Sequence, residues 1–177
     1  MAGYDRKAGT DPTDDVDLLR RLGLGGESRV VDLGAGTGTF TAAVAPHCRS
    51  VVAVDVSAPM LDRLRRKIAT LHLTNVTMVR AGFLTYEFTP GHADVVYSRN
   101  ALHHLPDLWK AVALERIATM LRPGGILRLR DLIFSFEPRE AARAIEAWLS
   151  AAPAAADAGW TRAELETHLR DEYSTFT

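Results

Sequence analysis

VVDLGAGTGTF, residues 30–40, places Gly34, Gly36 and Gly38 at alternate positions between a short apolar run and a helix-forming one. Glycine suits a turn in which the backbone takes positive φ or approaches another group closely, because no Cβ stands in the way. A strand feeding such a turn and then a helix is the first unit of an open α/β sheet. Ligands of these sheets bind at the carboxyl ends of the strands, where this turn must lie.

Outward from that turn, residues 29–33, 51–56, 75–79, 93–97 and 125–134 read as strands. Residues 15–22, 39–47, 59–73, 109–120, 137–148 and 161–170 read as helices, with Pro46 breaking the second near its end. VVAVDV (51–56) is apolar on both faces, as expected of a strand covered by helices on both sides. The alternation predicts an α/β fold, a doubly wound, mostly parallel Rossmann-like sheet with helices on both faces. The connection over 83–93 reads as a turn or a short helix. A chain of 177 residues suits a single domain (1–177), with residues 1–14 as a flexible leader.

Two carboxylates flank the glycine turn. Asp32 precedes it, and Asp55 ends the second strand, 23 residues further on. The spacing is GxGxG, with Thr39 where a dinucleotide-binding GxGxxG would place its last glycine. Asp32 would repel a pyrophosphate but suits a ligand carrying an ammonium group. S-adenosyl-L-methionine carries an ammonium and a carboxylate and no phosphate, and Asp55 can accept hydrogen bonds from both of its ribose hydroxyls. The alternatives are local: Asp32 as a cap of the turn, Asp55 as an Asx-type turn or helix cap.

With these motifs in view, the chain resembles the class I, seven-strand S-adenosylmethionine-dependent methyltransferases, especially those acting on small molecules. The resemblance runs over about residues 29–134, through VVDLGAGTG, VVAVDVSAPML (51–61), ADVVYSRNALHHLPD (93–107) and LRPGGILRLRDL (121–132). It implies that Asp32, Ala35 and the Gly34, Gly36 and Gly38 backbone surround the methionine part, while Asp55 holds the ribose. Val56 and Met60 would sit against the adenine faces, with core packing as their other reading, and Asn100 would line the pocket. Family members often carry an acid after the third strand to bind the adenine amino group; here Gly82 stands in its place. Backbone groups near Gly82 and Phe83, or Glu87 from farther away, remain to read that edge. The family usually ends in two more strands, and no convincing pair is found before the chain stops at EYSTFT. The expected fold therefore lacks its C-terminal strands.

The methyl group of such a cofactor is already activated, so the protein must mainly align the acceptor and exclude water. A base is needed only when the acceptor must lose a proton. His103 and His104, after the fourth strand, are candidates for that base or for orienting the acceptor, and capping or packing is their other reading. Asp131, at the end of the fifth strand, is a candidate pocket residue. Arg128 and Arg130 share one face of that strand and call for acidic partners or a ligand, and Arg99 is either solvated or a contact for an anionic substrate.

Composition narrows the partners. Lys and Arg number 21 against 22 Asp and Glu, so the basic excess of a phosphate-binding nucleic-acid protein is absent. Cys48 is the single cysteine, and six scattered histidines form no HExxH pattern, so no disulfide framework and no metal site are expected. No window approaches the roughly 18 apolar residues of a membrane span, and MAGYDRKAGTDPTDD has no signal-peptide core. The expectation is a cytoplasmic methyltransferase with a small-molecule acceptor, S-adenosyl-L-methionine as cofactor and S-adenosyl-L-homocysteine as product. A non-catalytic protein that binds the same cofactor is the alternative. An NAD oxidoreductase, an amino-directed DNA methyltransferase and a cytosine C5 enzyme are disfavoured by GxGxG, by SRNA (98–101) and by the position of Cys48.

Overall fold

The computed structural model describes residues 11–131, 136–151 and 161–171. Its apolar runs form β1 (Arg29–Leu33), β2 (Ser50–Asp55), β3 (Val76–Arg80), β4 (Ala93–Arg99) and β5 (Leu121–Arg130). All pairings are parallel, in the order β3-β2-β1-β4-β5, so the sheet reverses direction of growth between β1 and β4. The expected doubly wound α/β fold is present, and no sixth strand is found among the described residues.

The described residues fall into two compact units. The first, Asp11–Leu102 with Leu108–Asp131, holds the whole sheet. On one face lie α1 (Thr13–Arg21), α2 (Thr39–Val44) and α3 (Ala58–Thr70). Val16, Leu19, Phe40, Val44, Val51, Val95 and Tyr97 form the core there, and the Phe40 and Tyr97 rings stack 3.5 Å apart. On the other face, Ile117 and Met120 of α4 (Asp107–Met120) pack with Val31, Leu33, Val54, Val96 and Tyr86. In the second unit, α5 (Ala141–Ala151) and α6 (Arg162–Asp171) are joined by an Arg162–Glu146 ion pair at 2.5 Å. Thr161 caps α6: its hydroxyl accepts from Glu164 N–H, and Glu164 accepts from Thr161 N–H.

Several boundaries differ from the sequence reading. Helix α1 begins at Thr13, inside the expected leader, of which residues 1–10 lie outside the described residues. Pro46 sits in a 3₁₀ turn, Ala45–His47, rather than in the helix. Strand β5 begins at Leu121 rather than 125, because Leu121 pairs with Ala93 through a register shift that absorbs Pro123 and Gly124. It ends at Arg130, and residues 132–134 of the expected strand lie outside the described residues. The 83–93 connection carries no helix, only a turn.

Arg128 has the acidic partner that its place on the sheet demands. Asp15 of α1 accepts from Arg128 Nε and Nη2 at 2.9 and 2.6 Å and from the Tyr97 hydroxyl at 2.8 Å. Arg99 Nη1 lies 3.7 Å from the same carboxylate. Burial alone would raise the Asp15 carboxyl. The Tyr97 and Arg128 hydrogen bonds and the two arginine charges outweigh it and hold the group below its ordinary value.

Candidate functional site

The glycine turn leaves β1 at the carboxyl edge of the sheet with φ of 76°, 55° and 73° at Gly34, Gly36 and Gly38. Packing adds a second demand at two of them: a Cβ on Gly34 would collide with that of Ala101, and one on Gly38 with the Leu64 side chain. The turn is tied to the end of β2. Gly34 and Ala35 N–H both donate to the Val54 carbonyl, at 2.9 and 3.0 Å, and Gly36 N–H donates to Asp55 Oδ2 at 2.7 Å. The other Asp55 oxygen accepts from Ser57 N–H at 2.8 Å, just before α3 begins. Asp55 thus joins two chain segments around the crevice, which includes the Asx-turn geometry foreseen as an alternative.

Asp32 is buried, with the Thr41 hydroxyl donating to Oδ2 at 2.5 Å. Burial, with the Asp55 charge adding and Thr41 opposing, pushes its carboxyl up to about 7. A carboxyl raised on folding lends stability that is complete below its ordinary range and is lost as pH rises through about 7. Asp32→Asn should therefore abolish this loss and raise the melting temperature relative to wild type at pH 8 more than at pH 5. An equal change at both pH values in thermal denaturation would contradict it.

Val56, directly after Asp55, is 65% exposed and so is not a core residue. A Cβ on Gly82 would come within 3.0 Å of Val56 Cγ1, which places the turn after β3 against this apolar surface. Met60 is half-buried on α3. Phe83 packs its ring beside the core of the sheet's second face, so its backbone is what remains for a ligand. Glu87 is exposed.

At the exit of β4, Asn100 is exposed, has φ of 52° and donates its N–H to the Arg130 carbonyl at 2.9 Å. Asp131 accepts from the N–H groups of Ala101 and Leu102 at 3.2 and 2.6 Å, and so holds the chain where it leaves the strand. His103 and His104 belong to the other compact unit; their rings lie 4.2 Å apart, His103 buried and His104 exposed. The two side chains therefore differ in environment, as adjacent residues should. The sequence reading missed Thr41, Ser57 and Asp15, whose partners are set by how the chain folds back.

A family profile described as a methyltransferase domain matches residues 30–125. An uncharacterised methyltransferase of Geobacillus sp. is 29% identical over 147 residues, 82% of this chain and 66% of that protein. One from Mycobacterium bovis is 34% identical over 102 residues, 58% of this chain and 49% of that protein. The chain thus spans about half to two thirds of the length of these relatives. Among solved structures, the YcgJ protein of Bacillus subtilis superposes with a TM-score of 0.65 at 24% identity, over 72% of this chain and 54% of that one. Phosphoethanolamine N-methyltransferase 2 of Haemonchus contortus, in complex with S-adenosyl-L-methionine, gives 0.67 at 22% identity, over 92% and 33%.

Proposed function

The chain belongs to the methyltransferase-domain family, and on that premise we propose that its carboxyl-edge crevice binds S-adenosyl-L-methionine for methyl transfer to a small-molecule acceptor in the cytoplasm. The observation that carries this reading is the Asp55 carboxylate, held by Gly36 and Ser57 N–H beside the exposed face of Val56. A carboxylate for the ribose next to an apolar surface for a base suits a nucleoside. A pyrophosphate is ill suited: the amides of Gly34, Ala35, Gly36 and Gly38 already have acceptors, and two carboxylates stand nearby.

In this reading the Gly34–Gly38 backbone holds the methionine part, whose ammonium draws the nearby Asp32 carboxyl into its charged form. Val56 and Met60 face the adenine, Gly82 and Phe83 lie at its edge, and Asn100 lines the route to the acceptor. When bound, the cofactor supplies a sulfonium-activated methyl group. Asp131 positions the β4 exit through Ala101 and Leu102. His103 takes the proton of an acceptor that must lose one, so His103→Ala should lower the single-turnover rate with such an acceptor while cofactor affinity holds. An unchanged rate in the folded variant would remove His103 from the mechanism. The family setting favours an enzyme over a non-catalytic binder, and the acceptor class is tested by a labelled-methyl transfer screen of small molecules, tRNA and protein. Labelling of tRNA or protein alone would overturn the small-molecule assignment.

A further inference from the structure

We propose that Arg116 is a positioning residue that gives the site its selectivity for adenine, an inference that rests on the cofactor reading above. Arg116 lies on α4, and its Nε and Nη2 donate to the carbonyls of Phe83 and Tyr86 at 3.1 and 2.6 Å. Its guanidinium also stands 5.3 Å from the centre of the Phe88 ring. The segment from Ala81 to His92 crosses the sheet without a helix, so nothing periodic fixes its backbone. Arg116 does so from outside, with two charge-assisted bonds in a rigid fork.

The clamped turn begins at Gly82, against Val56. Gly82 N–H is taken by Thr85 Oγ1 at 2.9 Å, and the Gly82 carbonyl accepts from Thr85 and Tyr86 N–H at 3.1 and 2.9 Å. Among the described residues, the N–H groups of Phe83 and Leu84 have no hydrogen-bond partner. With glycine at position 82 there is no acid for an exocyclic amine, so recognition of the base edge falls to these donors. A donor pairs with the N1 lone pair of adenine and is mismatched with the N1–H of hypoxanthine. The Phe83 carbonyl and the Leu84 N–H share one planar peptide, so a group that holds the first aims the second. The charge of Arg116 also polarises that amide.

The test is the ratio of affinities for S-adenosylhomocysteine and S-inosylhomocysteine, measured by calorimetry on the full chain. Wild type should prefer the adenosyl compound. Arg116→Ala should reduce the preference by about tenfold, one well-placed hydrogen bond's worth, and Arg116→Lys should restore part of it. A merely structural role would weaken both ligands together and leave the ratio intact. An unchanged ratio in folded Arg116→Ala overturns the proposal; if that variant does not fold, the same ratio in Arg116→Gln decides. Binding of neither compound by wild type overturns the cofactor reading and this inference with it.

Discussion

Asp15→Ala should destabilise the protein by about 3 kcal/mol at pH 7, because it removes the carboxylate on which Arg128, Arg99 and Tyr97 converge. The Arg99 side chain is only 11% exposed, so water cannot replace its lost counter-charge. The cost is that of leaving buried donors without an acceptor, which exceeds the net value of the pair itself. Asp15→Asn, which keeps an acceptor for Tyr97 but no charge, should fall between the two. The pH dependence has a defined sign. A carboxyl held below its ordinary value lends stability that is present above the ordinary range and lost as pH falls through the folded value. Urea titrations of wild type and Asp15→Ala should therefore converge as the pH is lowered into the carboxyl range. A loss under about 1 kcal/mol at pH 7 would show that the network is solvated rather than structural.

Asp55→Ala should weaken S-adenosyl-L-methionine binding by about tenfold to a hundredfold, the effect of losing charge-assisted bonds to two ribose hydroxyls. The same carboxylate braces Gly36 and Ser57, so the turn loosens as well. Asp131→Ala is the matched comparison, since that carboxylate anchors Ala101 and Leu102 at the β4 exit and should affect cofactor affinity less. Equal affinities for wild type and folded Asp55→Ala would contradict the ribose assignment.

What could be read from the sequence followed the range of the interactions. The strands were legible because apolar runs such as VVAVDV are local signals, and Gly34, Gly36 and Gly38 announced their turn in adjacent residues. The start of β5 was not, because Pro123 and Gly124 imitate a free turn and only pairing with β4 draws them into the strand. The partners of the site were hidden by distance along the chain. Asp15 and Arg128 are 113 residues apart, and Arg116 reaches Phe83 across 33. Each of those contacts exists only once the sheet has been ordered. Val56 shows the reverse case: its apolar side chain suited core or ligand equally, and only its exposure in the fold removes it from the core.

Calorimetric titration of the protein with S-adenosyl-L-methionine, S-adenosyl-L-homocysteine and NAD tests the functional reading most directly. Both sulfur nucleosides should bind and NAD should not compete, given the occupied amides of the glycine turn and the carboxylates of Asp32 and Asp55. Tight binding of NAD with no binding of S-adenosyl-L-methionine would contradict it.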